Sequence, residues 1–140
     1  MWFSRKKTPA DAAEASAKNT SANEATSRRK GAAIEAAAEA YLRTQGLKPV
    51  ARNYCIRGGE IDLIMRDGAV LVFIEVRYRA NARHGSGAES ITPRKQQKLL
   101  LTAEHYLQQQ FGSNPPDCRF DVISASGDPV LFDWLKNVFA

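Results

Sequence analysis

Residues 59–79 constrain the fold more than any other stretch of this chain. They read GEIDLIMRDGAVLVFIEVRYR. The first part, residues 60–66, alternates apolar Ile61 and Leu63 with acidic Glu60 and Asp62. The second, residues 69–79, is a long run rich in Val, Ile, Leu and Phe. Asp67-Gly68 between them is a strong hairpin signal, because a type I′ turn needs positive φ at both central residues. The stretch therefore predicts two antiparallel strands joined by a tight turn. The near-continuous apolar run of the second strand suits the middle of a sheet covered on both faces.

Three charged residues interrupt this hairpin: Asp62, Glu75 and Arg77. Strand side chains alternate faces, so Glu75 and Arg77 share one. With Asp67-Gly68 as a two-residue loop, Arg66 pairs with Ala69. Asp62 then lies opposite Phe73, on the face of Glu75 and diagonal to it. Diagonal neighbours are roughly 7–8 Å apart at Cα, and less at the side chains. Two acids that close can share a hard divalent cation, which prefers carboxylate and water oxygens. A loop one residue longer would turn Asp62 to the other face. Two readings fit: a metal site, or the solvated face of an ordinary hairpin with Arg77 paired to Glu75 or Asp62. Leu71 and Phe73 share the face, which argues for partial cover, and covered charges need partners.

The rest of the chain supplies the surroundings. Residues 31–45 predict a helix stopped by Gly46, with Ile34, Ala37 or Ala38, Tyr41 and Leu42 as its buried stripe. Glu35 lies about 100° from Ile34 around the axis, at the stripe's edge. Glu39 reads as an i,i+4 partner of Arg43. Residues 47–57 predict a strand with Val50, Tyr54 and Ile56 inward and Asn53 satisfying a backbone group. Residues 80–92 are long enough for a functional loop and carry Arg83 and His84. Residues 93–110 predict a helix with Thr92 as N-cap and Pro93 in its first turn. Leu99, Leu100, Ala103, Tyr106 and Leu107 form its core face, and His105 reads as structural. A strand over 118–125 follows, in which Asp121 pairs with a base or a turn. A short strand over 130–132 and a closing helix over 133–139, capped by Asp133, complete the chain.

The formal charge of +5 is unevenly placed. Residues 1–30 hold seven of the 20 Lys and Arg and three of the 15 acids. With almost no large apolar side chain after Phe3, they read as a disordered basic tail before a domain at 31–140. Within the domain, Arg77, Arg79, Arg83, Arg94, Lys95 and Lys98 fall together, with Glu89 the one acid among them. That cluster points to a phosphate-bearing partner. Arg94, Lys95 and Lys98 crowd a helix N-terminus, which itself attracts phosphate. No apolar run spans a membrane and no secretory h-region opens the chain, so a cytoplasmic protein is expected. Cys55 and Cys118 are too few for a zinc site and read as free, partly buried thiols. There is no Gly-rich phosphate loop, nucleophile elbow or dinucleotide fingerprint.

The acid at 62 followed by Glu75-Val76-Arg77 resembles the metal site of the PD-(D/E)xK, restriction-endonuclease-like nucleases, whose motif has lysine where this chain has Arg77. The wording GGEIDLIMRDG with FIEVRYR resembles more closely the YraN-like family of bacterial proteins in that superfamily, which includes members with arginine there. The likeness runs over about residues 31–140, through Gly31, Glu35, Tyr41-Leu42, Gly46, Asn53, Lys95 and Arg119-Phe120-Asp121. It implies an α/β fold, a central mixed sheet flanked by helices with an αβββαβ core. It implies a metal-dependent endonuclease that hydrolyses phosphodiester bonds in DNA, branched or repair intermediates included. Asp62 and Glu75 would hold Mg²⁺ or Mn²⁺, with the Val76 carbonyl and waters. Arg77 stands at the lysine position and Glu35 matches a further family glutamate. Arg79, Arg83, Lys95 and Lys98 would contact nucleic acid, and a homodimer or partner protein is expected. The alternatives are a non-catalytic nucleic-acid-binding module on the same scaffold, or a scaffold protein without nucleic acid.

Overall fold

The computed structural model describes residues 18–79 and 91–139, and of the side chains before Gly31 only that of Arg29. The expectations for residues 1–17 and for the loop with Arg83 and His84 lie outside the described residues.

Helix α1 (Lys18–Thr44) begins well before Gly31, where the sequence reading placed its start. Alanine, the best helix former, occupies much of its second half. It stops as expected at Gly46, whose φ is +101°. Gly46 N–H donates to Arg43 O and Leu47 N–H reaches back to Leu42 O, a Schellman ending. Five strands follow the order β1 (Lys48–Ile56), β2 (Gly59–Asp67), β3 (Val70–Arg79), β4 (Cys118–Ser126) and β5 (Leu131–Leu135). They are neighbours in that same order. Only β3 and β4 run parallel, and helix α2 (Pro93–Phe111) lies in the crossover between them. The result is a mixed α/β sheet flanked by two helices, with β3 at its centre, compatible with a restriction-endonuclease-like fold.

Each face of the sheet carries its own core. Leu63, Met65, Val72, Ile74 and Ile123 pack with Ala38 and Leu42 of α1. Ile61, Ile64, Leu71, Phe73 and Val122 pack with Leu99, Ala103 and Tyr106 of α2. This is why β3 reads as an unbroken apolar run: Leu71 and Phe73 serve one core, Val72 and Ile74 the other.

The β2–β3 turn differs from the expected one. Asp67 pairs with Val70, so Gly68 and Ala69 are the loop. Gly68 has φ +63° and Ala69 has no positive φ, which suits a type II′ turn with glycine first. The register thus moves by two residues, which leaves every side chain on its expected face. One step beyond the last ladder pair, Leu63 with Ile74, lie Asp62 and Glu75.

Strand β1 departs from plain alternation. Its register slips between Pro49 and Ala51, and Asn53 has φ +52°, a conformation asparagine tolerates. Arg52 consequently faces α1 and Tyr54 faces α2. Ala51 and Tyr54 are buried, whereas the expected inward residues Val50 and Ile56 are only half-buried. Strand β2 shows the same slip: Ile61 and Ile64, three apart, serve one core. The break falls at Asp62, between the pairs Arg52 with Leu63 and Tyr54 with Ile61.

Thr92 caps α2 as expected, its hydroxyl accepting from Lys95 N at 3.1 Å. Leu100, expected in the core, is 44% exposed; Thr102 is buried instead, donating to Lys98 O. The expected closing helix over 133–139 is absent. Residues 131–135 form strand β5 against β4, with Trp134 paired to Ile123. Buried Asp121 ties this segment to β4, accepting from Arg119 Nε, Trp134 Nε1 and Asn137 N. Asp121 does pair with a base, as read from the sequence. Among the described residues, no helix is long and apolar enough to cross a membrane.

Candidate active site

Strand β2 is paired with β3 only from Leu63 onward, and the Asp62 side chain, just before that point, enters the gap. Val76 N–H, which has no ladder partner on β2, donates to Asp62 Oδ2 at 2.9 Å. A carboxylate thus stands where a backbone carbonyl would otherwise accept. This fixes Asp62 beside Glu75, the residue preceding Val76. Burial pushes the Asp62 carboxyl well above its ordinary range; the charges of Glu75, Glu35 and Glu60 add to this, and the Val76 N–H opposes it.

Two further acids stand behind Asp62. Glu35 of α1 stands beside the Asp62 carboxyl, and its own pKa is raised by burial and then by Glu60. Asn53 joins them. Turned so that its amide nitrogen faces the acids, it donates to Glu35 Oε1 at 3.1 Å and Glu60 Oε2 at 3.2 Å. Asn53 was expected to satisfy a backbone group; it ties two carboxylates together instead. Glu60 was not singled out from the sequence, although it lies two residues before Asp62 in the same motif.

Glu75 is buried, and its Oε2 meets two cations. Lys95 Nζ, from the first turn of α2, lies 3.1 Å away, and Arg77 Nη1 lies 3.5 Å away. The Arg77–Glu75 pairing is one the sequence allowed. The reach of Lys95 to Glu75 was not foreseen, because its expected partner was phosphate. Glu39, by contrast, is not paired with Arg43. It is buried, and Arg52 Nη2 of β1 donates to its Oε1 at 2.7 Å.

Asp62, Glu75, Lys95 and Lys98 line one cleft of about 520 Å³, with Glu60, Cys55 and the two-residue β1–β2 turn, Arg57-Gly58, on its other wall. Glu35, Asp62, Glu75, Arg77, Lys95 and Lys98 are therefore brought together. Arg79, two residues beyond Arg77, ends β3 half-buried, opposite Ser126 in the ladder with β4. Arg57 was missed by the sequence reading, since nothing local tells a turn arginine from a solvated one. Cys55 and Cys118 are free as expected but exposed rather than partly buried.

The donor chemistry fits a hard cation. Asp62 and Glu75 offer adjacent carboxylates to a cleft that Glu60 also lines, opposite Arg57, Lys95 and Lys98. Among the described residues no group of three or more His, Cys, Asp or Glu is placed to hold a metal ion. A cation here would rest on Asp62 and Glu75 and keep several waters, as Mg²⁺ does.

Residues 34–125 match the profile of the uncharacterised protein family UPF0102. The chain belongs to this family. It is the YraN family that the hairpin motif resembles. The chain is 54% identical over 114 residues to a UPF0102 protein of Klebsiella pneumoniae, covering 81% of this chain and 88% of that one. It is 51% identical over 111 residues to one of Aeromonas hydrophila, covering 79% and 84%. It is 50% identical over 115 residues to one of Xanthomonas campestris, covering 82% and 94%. The UPF0102 match includes Glu35, Asn53, Glu60, Asp62, Glu75 and Lys95, the whole of the acid cleft.

Proposed function

We propose that this UPF0102 protein is a divalent-metal-dependent nuclease acting on phosphodiester bonds, with DNA as its substrate. One observation carries the reading: Asp62, held by Val76 N–H, and Glu75, held by Lys95, face the same cleft. In that reading Asp62 and Glu75 hold Mg²⁺ or Mn²⁺. When bound, the ion lowers the pKa of its water and neutralises charge on the phosphate.

The chain's own groups do the rest. Val76 N–H orients the Asp62 carboxyl, and Asn53 holds Glu35 and Glu60 behind it. Arg77 stays protonated at any working pH, so it cannot be a base; it stabilises negative charge near Glu75. Lys95 brings an ammonium to Glu75 from α2, in a chain with arginine at the motif's lysine position. Lys98 lies along the same cleft, suited to the flanking phosphate. Hydrolysis joins a water oxygen to phosphorus and breaks one P–O ester bond, leaving a phosphate monoester and an alcohol.

A second reading, a nucleic-acid-binding module without turnover, is favoured by the pairing of Glu75 with both Lys95 and Arg77, which satisfies that acid without a metal. The test is incubation of the protein with single-stranded, nicked and branched DNA plus Mg²⁺ or Mn²⁺. Cleavage lost in Glu75→Ala and kept in Lys48→Ala, on the outer strand β1, supports the enzyme. Binding without turnover, indifferent to chelator, supports the module. Absence of any salt-dependent binding counts against both.

A further inference from the structure

A second cleft, about 530 Å³, opens on the other side of the β1–β2 turn. Its floor is apolar: Ile56, Gly58 and Leu101. Leu101 is 52% exposed, although it lies on the same helix as buried Leu99 and Ala103. A Cβ built on Gly58 would stand 3.0 Å from Leu101 Cδ2, so the end of the leucine packs against the glycine. The rim is polar, formed by Glu104, His105 and Gln108. Nδ1 of His105 is bonded to the Tyr54 hydroxyl. Burial holds that hydroxyl up at about 12.

This cleft is continuous with the acid cleft. Ile56, Arg57 and Gly58 line both, and Arg57 straddles the ridge between them. Arg57 enters no ion pair with the described residues. Side by side are a carboxylate-and-lysine site, an arginine, and an apolar slot with donors and acceptors at its edge. A nucleotide has that sequence of chemistries: a phosphate, and a base with apolar faces and a polar edge.

We infer that the second cleft receives one unpaired base of the substrate strand, with Arg57 on the phosphate that joins it to the acid cleft. The position of the phosphate rests on the nuclease reading above. A base stacked and paired in a duplex cannot enter such a slot without being turned out, at a cost of a few kcal/mol. The preferred substrate class is therefore nucleic acid with an unpaired nucleotide beside the scissile bond, such as a single strand, a flap or a gap.

Two probes separate the base from the phosphate: deoxyadenosine 5′-monophosphate and deoxyribose 5-phosphate, each titrated with Mg²⁺ into the full chain carrying labelled leucine methyls. The nucleotide is expected to move the Leu101 methyl signals, and the sugar phosphate to leave them still. Leu101→Asp, at an exposed position, should weaken nucleotide binding about tenfold, a single lost base contact, and leave sugar-phosphate binding unchanged. Leu101→Ser is the second variant, and both are compared at equal Tm. Identical responses to the two probes, a silent Leu101, or no binding of either overturns the inference. Cleavage lost in Glu75→Ala but with no response at Leu101 removes the base cleft and leaves the nuclease reading standing. A Leu101 response without any cleavage does the reverse.

Discussion

Lys95 Nζ lies 3.1 Å from Glu75 Oε2, so an ammonium on α2 and a carboxylate on β3 compete with, and prepare, the same cleft. Two opposed effects follow on removing it. Lys95→Ala frees Glu75 from one of its two cations, which should tighten Mn²⁺ binding severalfold. The same change takes a positive group from the place where phosphate charge develops, which should lower kcat by about 10²–10³-fold. Metal titration by calorimetry and single-turnover cleavage read the two separately. Tighter metal with slower turnover is the expected pair; weaker metal in Lys95→Ala contradicts the assignment of Glu75.

The acids predict how stability depends on pH. Asp62 and Glu35 are both raised in the folded protein. The folded state therefore holds protons that the unfolded chain has already released. This contribution is complete below the ordinary carboxyl range and is lost as pH rises through the raised values. Without metal, the wild-type Tm should be lower at a pH above the raised values than at one just above the ordinary carboxyl range. Asp62→Asn keeps an acceptor for Val76 N–H but carries no charge. It should flatten that slope, raise the metal-free Tm at the upper pH, and abolish cleavage. Mg²⁺ should restore the wild-type Tm there and leave Asp62→Asn unmoved. Scanning calorimetry at both pH values, with and without metal, checks the Tm outcomes, and a cleavage assay checks the loss of activity.

How much of this was legible in the sequence depends on distance along the chain. The faces of Glu75 and Arg77 follow from alternation alone. The turn was misplaced because Asp-Gly is the stronger local signal, yet Asp67 remains in the strand and receives Arg119 Nη2 of β4 at 3.1 Å. A partner so far away leaves no local trace. Glu39 was assigned to Arg43 by helix spacing and lost to Arg52 across the sheet for the same reason. The adjacency of Asp62 and Glu75 was legible only approximately, because the slip at Asp62 depends on the positive φ of Asn53 opposite. The two-cleft arrangement around Arg57 had no sequence signature.

The C-terminal strand hangs on one buried carboxylate. Asp121 is 1% exposed and accepts from Arg119 Nε at 3.0 Å, Trp134 Nε1 at 2.9 Å and Asn137 N at 2.9 Å. Asp121→Ala leaves the half-buried Arg119 guanidinium with Asp67 alone and takes from Trp134 Nε1 and Asn137 N the carboxylate they donate to. Breaking one side of such a buried charged network costs about 3–5 kcal/mol. Urea unfolding followed by tryptophan fluorescence should show that loss. The native emission should also shift towards longer wavelength as β5 loosens. A change under about 1 kcal/mol would mean the network contributes no more than an ordinary hydrogen bond.

Two glycines make opposite predictions and locate the pressure point of the cleft. Gly31 lies inside α1, and a Cβ there meets nothing within 4 Å. Gly31→Ala should stabilise by about 0.5–1 kcal/mol, the entropy a helical glycine gives up. Gly59, at the start of β2, has no such room. A Cβ there would stand 2.5 Å from Thr102 Oγ1 and 2.9 Å from the backbone oxygen of Lys98. Thr102 cannot swing aside freely, because its hydroxyl is buried and donates to that same oxygen at 2.7 Å. The β1–β2 turn must lift off α2 instead, at a cost of about 1–3 kcal/mol. That movement carries Arg57 away from Lys98 and widens the acid cleft. In a cleavage assay under conditions where Gly59→Ala remains folded, KM should rise severalfold with kcat reduced less, since Asp62 and Glu75 are held from β3 and not from the turn. Denaturant midpoints for both variants, together with that KM-against-kcat split, test whether the close contact of Gly59 with α2 sets the width of the site.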